Sequence, residues 1–418
     1  MNRRTLGIGI LVVVVAFYTF GTGFTFFFHF FYTLLLLLVL GWGWAWINLR
    51  GLDVSLRRTG TRGQVGGYLE AWIDIVNRTR LPKSWLEVAE VTDLPVESAG
   101  RGVALVREQS RNWKIETYLT HRGVFHTGQV KVVSQDPFGL FALSRRFLQL
   151  QDYVVVPATE PLPDLHPKIA NLPVDSRFTR PWDQVTTDVS AVREYAYGDS
   201  YRRIHWPYTA RMNALMVKEF DVGISAENWV VLDMQQGVHF GEAPDNTEEL
   251  AVTVAASLIN RMFELSLPVG LAANGDLSYL FRPDSSPESL GRLMEALAAV
   301  RAQGTNSIER FLYELRPNLS RFNTLTLITP SMDTSWVPAL SSLRRQGVNV
   351  NAVLIDAGSF GNALVDQDVS LTALFRNEIT SFSVARGQDL NLALSNPLAW
   401  HENTGMELDG ADSAQVAA

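Results

Sequence analysis

Between Thr5 and Leu49 the chain carries no Asp, Glu, Lys or Arg: TLGIGILVVVVAFYTFGTGFTFFFHFFYTLLLLLVLGWGWAWINL. A membrane-spanning helix needs about 20 apolar residues, so this run allows two spans joined by a tight turn. Gly21-Thr22-Gly23 is the expected turn, with one span near Leu6 to Phe20 and the second near Thr25 to Ile47. Trp42, Trp44 and Trp46 read as an interfacial belt. Arg3 and Arg4 precede the run, and Arg50, Arg57, Arg58 and Arg62 follow it, which predicts both ends on the cytoplasmic side. A cleaved signal peptide would begin in the same way. Here a second apolar run follows in place of a small-x-small cleavage site. His29 lies inside the apolar stretch, either as a neutral ring bonded to the other helix or as an intramembrane proton-handling group.

From Gly51 to about Pro157 the hydrophobic period changes to two. Leu69, Ala71, Ile73 and Ile75 share one face, opposite Glu70 and Asp74, and Trp113, Ile115, Thr117 and Leu119 repeat the pattern opposite Lys114, Glu116 and Thr120. Short alternating strands at this spacing predict a small, immunoglobulin-like β-sandwich. Asp136-Pro137-Phe138-Gly139 is a turn tetrapeptide, expected to set Phe138 and Phe141 against the sandwich. Five prolines between Pro161 and Pro181 then mark an interdomain connection.

Arg193 to Asp221, REYAYGDSYRRIHWPYTARMNALMVKEFD, interleaves charges with aromatic rings as no other part of the chain does. It reads as a partly buried polar knot in which guanidinium forks pair with carboxylates and stack on rings. One role is structural, fixing the angle between domains. The other is chemical, with Asp199, Arg203 and His205 forming a site in which the histidine changes charge near neutral pH. After the knot, apolar strands alternate with amphipathic helices: strands at Trp229 to Met234, Pro268 to Ala272, Leu325 to Ile328, Val348 to Ile355 and Ser381 to Val384, with an edge strand at Ser278 to Phe281. Helices are expected at Thr247 to Phe263, Pro287 to Val300, Ser307 to Leu315, Val337 to Arg345 and Leu364 to Phe375. Such alternation predicts a mostly parallel sheet covered by helices on both faces, a three-layer α/β domain.

The expected organisation is therefore multidomain. It comprises a transmembrane hairpin (1–50), the sandwich (51–157), the connection with the charged and aromatic segment (158–222), the α/β domain (223–395) and a mobile acidic tail (396–418). A net charge of −7 with 19% charged residues argues against a general nucleic-acid binder. The absence of cysteine excludes disulfides, thiolate zinc sites and cysteine nucleophiles. The glycines at 270–275 and 358–361 lack dinucleotide or P-loop spacing, so no nucleotide partner is expected.

Arg193, Glu194, Tyr195, Gly198, Asp199, Arg202, Arg203, His205, Trp206 and Arg211, with a later Lys218-Glu219-Phe220, resemble the signature of the domain of unknown function 58 family. Arg122-Gly123-Val124-Phe125 and Asp136-Pro137-Phe138-Gly139 resemble two further marks of that family. The resemblance implies a bacterial membrane-anchored protein with a von Willebrand factor A-like domain, working with a MoxR-type AAA+ ATPase. The ten signature residues are then candidates for holding the interdomain geometry or for docking. A von Willebrand A domain binds a divalent metal through D-x-S-x-S, a Thr and a later Asp. Asp233, Thr305 and Asp333 stand in that order, but Gln235 and Gly237 replace the two serines. The resemblance thus implies a degenerate site, at which Mg2+ is a possible but not an expected cofactor. Three functions follow for test: a non-catalytic membrane adaptor, a membrane-bound enzyme using Asp199 and His205 as acid and base, and a metal-dependent adhesion protein.

Overall fold

The computed structural model describes residues 3–96, 100–165, 189–195, 204–212, 214–220, 227–361 and 368–398. The chain divides into two compact units, one of residues 1–158 with 294–299 and one of residues 159–293 with 300–418. The expected acidic tail falls almost wholly outside the described residues, as does most of the proline-rich connection.

The first unit opens with helices α1 (Arg3–Thr22) and α2 (Thr25–Leu49), which break at Gly23 and Phe24. The sequence predicted two spans. Among the described residues only α2 is long and apolar enough to cross a bilayer; Gly7–Thr22 of α1 is a shorter apolar helix. His29 bonds the Thr25 carbonyl of its own helix through Nδ1 at 2.8 Å, not the neighbouring helix. Eight strands follow: β1 (Leu52–Arg58), β2 (Arg62–Gln64), β3 (Tyr68–Asn77), β4 (Lys83–Val91), β5 (Arg101–Leu105), β6 (Ser110–Tyr118), β7 (Gly123–Gln135) and β8 (Ala142–Val156). They form one sheet in the order β1-β3-β6 and another in the order β2-β8-β7-β4-β5.

The alternation seen in the sequence builds the core between these sheets. Leu52, Val54, Ile73 and Ile75 of the first sheet meet Leu86, Val88, Val103, Leu105, Val130 and Val132 of the second. Two charged residues are buried across the same gap, where Arg58 of β1 pairs with Glu90 of β4. Burial pulls the Arg58 guanidinium down to about 10. Phe138 departs from expectation: it is exposed at the tip of the turn rather than packed on the sandwich.

In the second unit β9 (Val189–Glu194), the short helix α3 (Trp206–Met212) and β10 (Met216–Phe220) come first. The α/β part then runs β11 (Asn228–Leu232), the two-residue strands β12 (Gly241–Glu242) and β13 (Asp245–Asn246), α4 (Thr247–Glu264), β14 (Val269–Asn274) and β15 (Ser278–Asp284). It continues with α5 (Pro287–Ala299), α6 (Ile308–Leu315), β16 (Thr324–Thr329), α7 (Val337–Arg345), β17 (Asn349–Ile355), α8 (Asp368–Arg376), β18 (Thr380–Val384) and α9 (Leu390–Ser395). The sheet order is β15-β14-β11-β16-β17-β18, parallel throughout except for the edge strand β15.

Trp229 and Val231 of β11 share a core with α6, α7 and α8. Val230 and Leu232 alternate to the other face, which α4 covers with Ala251, Val254, Ala255 and Leu258. Residues 159–165 belong with this unit: Glu160 N donates to Ser257 Oγ of α4 at 2.9 Å, and Asn391 of α9 donates to Asp164 at 2.7 Å.

Gly128 marks a bulge in β7, where the register with β8 shifts and φ is +101°. A Cβ there would run into the Gln149 carbonyl. Gly128→Ala is expected to destabilise the full-length protein by roughly 2 kcal/mol or more, read from denaturant midpoints in detergent.

Candidate functional site

The segment singled out by its charges and rings is, where described, a two-stranded ribbon with a helical turn attached. β9 and β10 pair antiparallel, Arg193 opposite Val217 and Glu194 opposite Met216. Tyr195 N donates to the Leu215 carbonyl at 2.8 Å. His205 holds the start of α3: its N–H bonds Met216 O at 2.8 Å, and its Nδ1 accepts from Tyr208 N at 3.1 Å. Tyr208 N also donates to the His205 carbonyl at 3.0 Å, so the histidine acts here as a helix cap. Thr209 Oγ1 accepts from Met216 N at 3.0 Å and fixes the helix to the ribbon.

Only part of the expected knot is buried. Ile204, Met216 and Val217 are enclosed, while Trp206, Tyr208 and Arg211 are exposed. Glu194 is also exposed and Tyr195 half-buried. Gly198, Asp199, Arg202 and Arg203 lie outside the described residues, as does the side chain of Arg193.

A second cluster stands at the carboxyl edge of the sheet. Successive strands depart in opposite directions from β11, toward β14 on one side and β16 on the other, and such a switch point opens a crevice where α/β proteins bind ligands. Asp233 follows β11 directly and is fully buried. Its Oδ2 accepts from Thr329 Oγ1 at 2.7 Å and its Oδ1 from Gln235 N at 3.1 Å. The Thr329 hydroxyl accepts in turn from Ser331 N at 2.9 Å.

His239 donates through Nε2 to the Asp233 carbonyl at 2.9 Å, and its Nδ1 lies 3.2 Å from Thr247 Oγ1. Asn274, at the end of β14, accepts from Met234 N at 2.7 Å and donates to Asn306 O at 3.1 Å. Burial pushes the Asp233 carboxyl above the usual carboxylate range, opposed by the bonds from Thr329 and Gln235 and by the charge of His239.

The middle loop is locked to this cluster through backbone. Gly304 N donates to Met234 O at 2.9 Å, and Gln236 N to Gly304 O at 2.8 Å. A Cβ on Gly304 would run into the Asn274 carbonyl, so this approach requires glycine.

The donors present do not fit a hexacoordinate divalent metal. Both Asp233 oxygens serve protein donors, and Gln235 Oε1 accepts from Ile308 N at 3.3 Å. Gly237 offers no side chain, and the exposed Asp333 carboxylate caps Ser335 through Oδ1 and Oδ2. Thr305 is exposed on the middle loop. Among the described residues no three His, Cys, Asp or Glu side chains gather as a metal cluster.

Thr329, His239 and Asn274 were not singled out from the sequence. Thr329 and Asn274 are polar residues closing apolar strands, and that was the available signal; His239, in the loop after β11, carried none.

A family model described as a protein of unknown function, DUF58, matches residues 191–357. This stretch, the DUF58 region, is similar to that family. It holds both the ribbon and the Asp233 crevice. The uncharacterized protein YeaD of Bacillus subtilis is 23% identical over 274 residues, covering 64% of this chain and 67% of YeaD. The uncharacterized protein Rv1480 of Mycobacterium tuberculosis is 36% identical over 66 residues, which span 16% of this chain and 21% of that protein. Among solved structures, the CARDB domain of PF1109 from Pyrococcus furiosus aligns with 25% of this chain and 87% of its own, at 14% identity and a TM-score of 0.20. The C-terminal domain of wzt aligns with 25% of this chain and 73% of its own, at 8% identity and a TM-score of 0.21. Scores this low assign no fold to the DUF58 region.

Two outcomes follow. Because the folded carboxyl of Asp233 sits above its unfolded value, the folded state binds the extra proton between the two. Its contribution to stability is therefore full below the usual carboxylate range and is lost as pH rises through the folded value. Asp233→Asn should remove that part of the decline, so thermal melting of wild type and variant across pH should converge in acid and diverge above it. Magnesium or manganese titrated into the purified protein should give no saturable heat, and micromolar binding lost in Asp233→Ala would contradict the donor assignment.

Proposed function

We propose that the protein is a non-catalytic, membrane-anchored adaptor. On this reading the two N-terminal helices both enter the cytoplasmic membrane, with the soluble units on the cytoplasmic side, as the flanking arginines favour. The two-sheet unit is an immunoglobulin-like sandwich. The mixed sheet with helices on both faces is a von Willebrand factor A-like domain whose metal loop has been replaced by internal hydrogen bonds. The partner implied by the family resemblance is a MoxR-type AAA+ ATPase, acting in the assembly or remodelling of a membrane or envelope complex.

The observation that carries this reading is the closure of the Asp233 crevice. An α/β enzyme would present reacting groups at this switch point. Here the acid, Thr329, Gln235 and His239 satisfy one another and the adjacent backbone. The outer groups of the DUF58 region, Trp206, Tyr208 and Arg211, are instead exposed, and side chains of these types dominate docking surfaces.

The test is affinity purification of the full-length protein from gently solubilised native membranes, with mass spectrometry of what accompanies it. An AAA+ ATPase should be recovered with the wild type and lost with a folded Arg203→Ala, His205→Ala variant. Recovery of other intact membrane complexes without any ATPase would remove that partner.

A further inference from the structure

The last turns of α2 do not stand free in the manner of a simple anchor. Gly41, Ala45, Asn48 and Leu49 are buried along one face of the helix, a spacing that places them in a single stripe. A Cβ on Gly41 would lie 3.4 Å from both Asp136 Oδ2 and Phe141 Cδ2. Six residues further on, Lys83 Nζ donates to the Ile47 carbonyl at 2.5 Å, and Asn48 Nδ2 donates to Ser84 O at 2.9 Å. The β7–β8 turn and the start of β4 thus grip the end of α2.

Helix length then sets the depth of this grip. A span takes about 20 residues, and counting from Thr25 brings the hydrocarbon boundary to about Trp44, beyond Gly41. The β7–β8 turn that touches Gly41 is therefore level with the last turn of the spanning segment. Trp42 and Trp46 stack at 6.0 Å, and Arg50 covers Trp46 at 3.5 Å, an interfacial grouping at the same height.

The side chains at this end of the sandwich fit the same environment. Phe138 is 58% exposed at the turn tip, Trp85 80% exposed beside Ser84, and Leu81 and Val106 are 54% and 62% exposed. The carbonyls of Leu81 and Val106 both accept from Asn77, which pairs with Leu52 just after α2, so they lie at the helix end of the unit. Arg78 and Arg107 stand among them, exposed and paired with Asp53 at 3.0 Å and Glu108 at 3.6 Å, which leaves the patch without excess negative charge. Asp136 does not oppose burial in an interface, since its oxygens accept from Phe138 N at 2.9 Å and Phe141 N at 2.6 Å.

We infer that this end of the sandwich, formed by Leu81, Trp85, Val106 and Phe138, is a lipid-contacting collar seated in the bilayer interface around the exit of α2. The collar rests on the reading of α2 as a membrane span. Large apolar and aromatic side chains mixed with arginine are the composition that the headgroup region accepts.

Because the chain has no cysteine, single labels test this directly in the full-length protein. Phe138→Cys, Leu36→Cys and Tyr68→Cys would each carry an environment-sensitive fluorophore in liposomes of zwitterionic and anionic phospholipid doped with nitroxide lipids. Tyr68 begins the ten-residue β3, whose far end, Asn77, lies beside α2, which separates it from the collar by about 30 Å. The expected result is loss of the 138 signal with nitroxides near the headgroup, loss of the 36 signal with nitroxides deep in the chains, and no loss at 68. Quenching at 36 with a 138 label open to aqueous iodide and untouched by nitroxide lipid would overturn the collar and leave the anchor standing. An unquenched label at 36 would overturn both.

Discussion

A helix that leaves a membrane must satisfy the carbonyls of its last turn where water is scarce. In this chain the Ile47 carbonyl accepts from Arg50 N at 3.1 Å and also from a residue 36 positions away, the Lys83 ammonium, itself buried, at the positive-preferring end of the helix dipole. Burial lowers the Lys83 pKa, so the contact works against desolvation and depends on close packing around it. That packing is the sandwich. Leu49 continues the helix into the core shared by both sheets, and β1 begins after a single reversal at Gly51, whose φ is +65°. The anchor and the first folded unit are therefore one body, with no flexible tether between them.

The same logic operates at Asp233 with different partners. A buried carboxylate loses several kcal/mol of hydration unless donors replace water, and here a hydroxyl and a backbone N–H do so. Thr329 comes from the adjacent strand β16, His239 from the loop that follows, and Gly304 lets a third loop approach by lacking a Cβ. Asp233 and the backbone that follows it thereby tie together three loops at the edge of the sheet. A group engaged in this way holds loop positions, and its raised pKa measures the cost of keeping it dry.

Much of the fold was legible because strands and helices announce themselves within short windows. The alternation at Leu69, Ala71, Ile73 and Ile75 became the buried face of β3, and the runs around Trp229, Leu325 and Val350 became the central parallel strands. Asp233 was visible as an acid closing an apolar strand. Its partner was not, since Thr329 lies 96 residues on and meets it only once β16 is placed beside β11. Lys83 was not singled out, for the same reason: its partner carbonyl at Ile47 lies 36 residues back along the chain. The two predicted spans came from counting uncharged residues, and the helices break at Gly23 and Phe24, beside the expected turn. Among the described residues only α2 has the length and apolar character of a span.

The charged and aromatic segment was expected to be a partly buried knot. In its described part, backbone and two small polar groups join the helix to the ribbon. His205 caps α3, Thr209 ties that helix to β10, and Ile204, Met216 and Val217 supply the apolar contact. None of these contacts requires Trp206, Tyr208 or Arg211, which project into solvent from a rigid base. Exposing a large ring costs the hydrophobic free energy that its burial would return, about 2 kcal/mol for a side chain of this size. Trp206 and Tyr208, on a short helix joined to the ribbon by other residues, are open to a surface that would cover them and return that free energy.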